Sequence, residues 1–274
     1  MWNRMLQTGV RPAMLRGMTL LRIILACFLA VAGCSSKPGS KELVVGMDLS
    51  YPPFETIDES GKPAGISVDL AKALADYLQR PLRIENLPFV GLIPSLQNGR
   101  IDCIISSMTD TPERQQSISF SDPYLSTGLA LLAGASADFS TDIDREGRTL
   151  VVRQGTTGEL WARTNLKKAK LLAVEKENSA VLEVIQGKAD AFIYDQMSVW
   201  QNWKKNPSVT RAILAPLQKE YWAVGVRKDN EPLRVKINEF LKDFRAKGGF
   251  EQLGDKYLSE QKEAFRKEGI PFYF

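Results

Sequence analysis

The 274-residue sequence has no histidine. That absence excludes Ser-His-Asp and Cys-His catalysis and every His-ligated metal site. Cysteine is almost absent too, with only Cys27, Cys34 and Cys103. An enzyme built on a nucleophilic thiol needs a nearby base, and none lies near Cys103 in the sequence. The apolar run at residues 23–32 falls short of the roughly 20 residues that span a bilayer. A basic stripe is also missing. The formal charge of +4 comes from Arg4, Arg11, Arg16 and Arg22, which lie in an acid-free stretch, and the remaining chain balances 32 basic against 32 acidic residues. No nucleic-acid interface is expected from such a balance. What remains, 44% hydrophobic and 25% charged, is the composition of a folded globular chain long enough for one large domain or two smaller lobes.

The N-terminus reads as a targeting segment: basic residues, a short apolar run, then Val31-Ala32-Gly33-Cys34. This tetrapeptide resembles the bacterial lipobox. The resemblance implies cleavage after residue 33 and a diacylglycerol-type lipid on Cys34, with residues 34–40 as a flexible tether. Cys27 then leaves with the leader. Cys103, inside Ile101-Asp102-Cys103-Ile104-Ile105, reads as an inert thiol in a buried strand.

Beyond the tether, strands alternate with helices. Strand-like runs occur at 42–47, 101–106, 149–152 and 189–194. Helical spacing occurs at 68–78, with Ser67 as candidate N-cap, near 94–97, at 159–168 and 179–186, and continuously from 231 to 258. Alternation of this kind predicts an α/β fold with mostly parallel sheets. A faint internal echo joins Gln97-Asn98-Gly99-Arg100-Ile101-Asp102 to Gln186-Gly187-Lys188-Ala189-Asp190. Each is a helix end, a glycine, a basic residue and an aspartate before an apolar strand, as two lobes of similar plan would give.

Ligands of open α/β sheets bind beyond the carboxyl ends of the strands, and four polar clusters fall there. Asp48 to Phe54 follows the first strand, and Ser106 to Arg114 follows the strand at 101–105. Gln154-Gly155-Thr156-Thr157-Gly158 joins a strand to a helix, and Asp195 ends another strand. Thr156, Thr157 and Arg114 are anion donors, Asp48 and Asp195 are carboxylates, and Tyr51, Phe54 and Phe89 supply aromatic surface. A zwitterion with an α-carboxylate and an α-ammonium satisfies both charge types. Each cluster also has a purely structural reading: Asp48 as a turn cap, Arg114 as a surface ion pair, the threonine turn as a helix start.

Nearly the whole chain after the tether resembles the extracytoplasmic solute-binding proteins (family 3) of polar amino-acid ABC importers, notably the glutamine- and histidine/lysine-arginine-ornithine-binding members. The residues that carry the resemblance are Leu43 to Phe54, Gly65 to Leu70 (with Ile66 and Ser67 departing from the pattern), and Thr111-Pro112-Glu113-Arg114 followed by Phe120-Ser121-Asp122-Pro123-Tyr124. The resemblance implies a two-lobe periplasmic-binding-protein fold of type II, with hinge strands near 124–128 and 219–223. Residues 41–125 and 221–274 would build one lobe and 126–220 the other.

It also implies roles. Arg114 grips the ligand α-carboxylate, Ser107 and Thr109 contact both α-groups, and Thr156 and Thr157 add carboxylate donors. Asp195 pairs with the α-ammonium, Tyr51 and Phe89 sandwich the side chain, and Asp48 reaches its far end. The protein is expected to be a monomeric, lipid-anchored, extracytoplasmic capture protein without cofactor or metal, working with an ABC permease at the membrane and catalysing nothing. Asp48 with the aromatic pair suits a cationic side chain. Arg153 either points into the cleft, repelling a cation and favouring a neutral amide with Asp48 as its partner, or points outward as a solvated charge. Two rival functions share the fold: a dehydratase of the arogenate/prephenate type, and a ligand-reporting partner of a membrane sensor.

Overall fold

The computed structural model describes residues 41–139, 142–267 and 269. The leader expected at 1–33, the expected lipidation site Cys34 and the expected tether to residue 40 lie outside the described residues, as do residues 270–274 of the aromatic C-terminal stretch.

Sequence order gives β1 (Leu43–Met47), a small hairpin of β2 (Thr56–Ile57) and β3 (Pro63–Ala64), α1 (Ile66–Tyr77), β4 (Leu82–Asn86), a 3-10 turn (Phe89–Gly91) and α2 (Leu92–Gln97). Then follow β5 (Cys103–Ile104), α3 (Pro112–Gln115), β6 (Ser119–Phe120) and the long β7 (Leu125–Gly134). The second half runs β8 (Thr149–Arg153), α4 (Thr157–Asn165), β9 (Lys170–Val174), α5 (Glu177–Ile185), β10 (Ala191–Asp195), α6 (Gln196–Lys205) and β11 (Thr210–Trp222). It closes with β12 (Gly225–Val226), α7 (Glu231–Ala246), α8 (Gly249–Tyr257) and α9 (Ser259–Lys267).

Two five-stranded sheets carry these elements, ordered β4-β1-β5-β12-β6 and β11-β7-β10-β8-β9. Their central strands are unbroken apolar runs because helices cover both faces; β1 and β10 are buried at every residue. Each sheet has a parallel core, β4-β1-β5 in one and β10-β8-β9 in the other, extended by antiparallel partners. The antiparallel partners arise where the chain crosses between sheets. It enters the second sheet along β7 and leaves along β11, and these strands pair in register from Leu125↔Trp222 to Gly128↔Lys219. The two hinge crossings expected from the sequence therefore lie side by side.

Some local expectations change. The helix at 66–77 starts one residue before Ser67, with Gly65 at its N-cap at φ 115°, and Ser67 Oγ instead donates to Glu55 Oε2 at 2.5 Å. The helical stretch from 231 to 258 is broken, because Gly248 takes a left-handed φ of 72° and ends α7. At Gly249 a Cβ would meet the Phe244 ring at 2.5 Å, so that close packing needs a glycine. The edge strands β4 and β9 carry charged and half-buried residues, which hid them from a search for buried runs.

The internal echo is structural. Gly99 and Gly187 both take positive φ after a helix, and Arg100 N and Lys188 N bond back to Ser95 O and Glu183 O. Asp102 Oδ2 accepts Val44 N at 3.1 Å and Asp190 Oδ2 accepts Thr149 N at 2.7 Å, so each aspartate secures the start of the neighbouring parallel strand. Cys103, which follows Asp102 and opens β5, is buried, and burial pushes its thiol up to about 12, which keeps it protonated and unreactive.

Candidate functional site

The carboxyl ends of both sheets face one cleft, and all four polar clusters line it. Asp48 leaves the end of β1 with its N–H donating to Ser106 Oγ at 2.9 Å. Its carboxylate accepts Ser50 Oγ at 2.6 Å and the N–H of Phe89 at 3.1 Å, which positions the 3-10 turn that carries the Phe89 ring. Arg114 sits on a single helical turn that Thr111 caps by accepting Arg114 N, with Pro112 pre-setting the first φ. The guanidinium donates to Thr109 O at 2.7 Å and to Gly155 O at 3.0 Å, and lies 5.4 Å from the Phe89 ring centroid. Burial lowers its pKa to about 10, so Arg114 remains a cation at neutral pH.

Across the cleft, Asp195 caps α6. Its Oδ1 accepts Met197 N at 2.9 Å, Ser198 N at 3.1 Å and the Tyr51 hydroxyl at 2.6 Å. Burial still raises its pKa, against those donors. The turn at 155–158 opens α4, and Gly158 packs so tightly that a Cβ would meet Ile193 O at 2.7 Å. Thr156 Oγ1 donates inward to Arg153 O at 2.7 Å, whereas Thr157 lines the cleft together with Glu220. Ser107 is held at φ 47°, a costly conformation for a residue with a Cβ, and its Oγ donates to Glu55 Oε2 at 3.1 Å. Tyr51 stacks on Phe54 at 5.3 Å and meets Tyr194 and Trp222 edge-on, so it belongs to an aromatic cluster at the hinge end of the cleft.

Arg153 turns inward. Only 5% exposed, it bonds Asp48 Oδ2, reaches Tyr194 OH at 3.2 Å, Ser50 Oγ at 3.3 Å and Glu175 O at 3.1 Å, and lies 5.8 Å from the Phe89 centroid. Burial alone opposes its charge, but Tyr194 and Asp48 beside it raise its pKa above the ordinary arginine value. Of the two orientations open from the sequence, the structure takes the inward one, with Asp48 as partner. Arg153–Asp48, Tyr51–Asp195 and Arg114–Gly155 each join a group of one sheet to a group of the other.

The sequence profile of the bacterial extracellular solute-binding proteins, family 3, matches residues 43–260. The chain belongs to that family. It is 28% identical to the ABC transporter arginine-binding protein 1 of Escherichia coli over 87% of this chain and 99% of that protein. Among solved structures, ancestral arginine-binding proteins superpose with TM-scores of 0.74 (bound to arginine; 31% identical, covering 79% of this chain and 98% of the other) and 0.70 (bound to glutamine; 30%, covering 79% and 97%). An ancestral amino-acid-binding protein, a precursor of cyclohexadienyl dehydratase, gives a TM-score of 0.73 at 33% identity, covering 79% and 95%.

This solute-binding protein also places three acids in or beside the cleft that sequence reasoning missed, Glu55 and Glu220 buried and Glu177 half-buried. Glu55 accepts from Ser67, Ser106 and Ser107, and burial raises its pKa to about 8. Glu177 accepts from Ser198 Oγ at 2.5 Å and Asn202 at 3.0 Å and is raised to about 7, again by burial. Glu220, on β11, accepts from Thr109 Oγ1 at 3.2 Å and is likewise raised to about 7. One signal was available for Glu220. Strand periodicity places it on the same face as Trp222, two residues on, and both are buried.

Proposed function

We propose that the protein captures a polar L-amino acid between two closing lobes outside the cytoplasm, held to the membrane by lipid on Cys34, and delivers it to an ABC importer. The observation that carries this reading is the meeting of Arg114 with Asp195 in one cleft, an α-carboxylate partner and an α-ammonium partner supplied by different sheets. In this reading residues 41–125 and 221–274 form one lobe and 126–220 the other. Ligand contacts to both favour the closed arrangement, which a permease reads.

The side chain recognised follows from Arg153. With Asp48 already paired to a buried guanidinium, the far end of the site presents a balanced donor–acceptor pair, which suits a neutral amide such as that of glutamine better than a second cation. Arginine recognition by the relatives is thus not carried over unchanged. The bound arginine and bound glutamine of the ancestral relatives show that this family's fold takes both.

The test is calorimetric titration of the protein, unfolded and refolded to strip co-purified ligand, against the twenty L-amino acids and ornithine. One-to-one binding with glutamine preferred is the expected result. Preference for lysine, arginine or ornithine would mean that Asp48 acts as their partner and Arg153 moves aside. Binding of none would sink the amino-acid reading. Because the raised Glu220 carboxyl is suited to general-acid chemistry, the same preparation should be assayed for dehydration of prephenate and arogenate, with no turnover expected.

A further inference from the structure

Glu220 has no role in the sequence-derived site, yet it is 3% exposed and lines the cleft beside Arg114 and Asp195. Its Oε2 accepts the Thr109 hydroxyl at 3.2 Å. Its Oε1 is buried without any hydrogen-bond partner. A carboxylate oxygen buried in that state is costly, and a ligand donor relieves the cost. The adjacent acid is already heavily used, since Asp195 Oδ1 serves two backbone N–H groups and the Tyr51 hydroxyl. That leaves Asp195 Oδ2 for a ligand, and an ammonium with three N–H donors needs more acceptors than that one oxygen supplies.

We propose that Glu220 is a second ammonium-binding residue, its Oε1 accepting an N–H of the ligand's α-ammonium alongside Asp195. The inference rests on the amino-acid reading above. Placed on β11 two residues before the end of the hinge strand, Glu220 ties ammonium recognition to the crossing between sheets, while Thr109 holds its other oxygen.

The test compares the parent protein with Glu220→Gln, using L-glutamine and its deaminated analogue, 5-amino-5-oxopentanoate, as calorimetric probes. If the parent prefers L-arginine, arginine and 5-guanidinopentanoate replace them. The expected result is at least a tenfold weaker affinity of the variant for the amino acid and less than a threefold change for the analogue, with an undiminished melting temperature showing that the variant folds. Unchanged affinity for the amino acid would overturn the proposal. So would tighter binding by the variant, which would make Glu220 a competitor for the donor Thr109. A parent protein that binds no amino acid overturns both this inference and the reading beneath it, and it does so before any variant is made. A parent that binds and a variant that binds equally well removes Glu220 alone.

Discussion

Arg114 donates to two backbone carbonyls, one from each side of the cleft, so its guanidinium is already oriented before a ligand arrives. Charge-assisted hydrogen bonds of this kind contribute about 1.5–3 kcal/mol. Arg114→Ala also leaves a ligand carboxylate buried without its partner, so the loss should reach the upper end of that range, about 100-fold in affinity by titration calorimetry. An unchanged dissociation constant would remove Arg114 from the site. Arg153→Leu has a different expected signature. It frees Asp48 from its buried ion pair and removes the positive charge that opposes a cationic side chain. Competition titration should then show arginine and lysine gaining affinity relative to glutamine. If the ranking stays the same, Arg153 does not set specificity.

Elements are aimed by capping and strand-end contacts that recur in both sheets. Asp102 and Asp190 each accept an N–H at the start of a parallel neighbour, from Val44 and Thr149, and both follow a helix ended by a positive-φ glycine. Asp190→Ala strands the Thr149 N–H at the head of β8, the strand whose far end carries Arg153. A buried donor left unpaired costs about 1–3 kcal/mol. The midpoint of urea unfolding should fall accordingly with an unchanged denaturant slope, whereas wild-type stability would show that water replaces the carboxylate. How far this level was legible depended on the element. The threonine turn and both glycine C-caps stood out from sequence because their chemistry is local. The hairpin at 56–64, the edge strands at 82–86 and 170–174 and the break at Gly248 did not, because edge strands alternate weakly and a lone glycine in a helical pattern is ambiguous.

The whole molecule carries buried acids whose pKa values are raised by burial: Glu55 to about 8, Glu177 and Glu220 to about 7. Each is protonated in the folded chain over a range of pH where the unfolded chain has lost the proton. Unfolding therefore releases protons between about pH 4.5 and 8, and stability falls as pH rises through that window, by about 1.4 kcal/mol per pH unit for each group while it differs between states. The ligand-free protein should melt at progressively lower temperature from pH 5 to pH 8.5. Glu55→Gln and Glu177→Gln should each flatten that slope. A melting temperature that rises over the same interval would contradict the assignment of these acids as buried and protonated.

Residues 43–47 and 191–195 read as buried strands from their own composition, and Asp48, Arg114, the threonine turn and Asp195 stood out because parallel α/β topology gathers strand ends at one edge. Those features depend on neighbours within a few positions, which is why they could be read directly from the chain. The direction of Arg153, its capture of Asp48, the Tyr51–Asp195 bond and the burial of Glu220 against Thr109 join residues 105, 144 and 111 positions apart. Periodicity and capping say nothing across such separations. Only the closing of one sheet's edge on the other brings these groups together, and with them the charge balance that decides which side chain the cleft accepts.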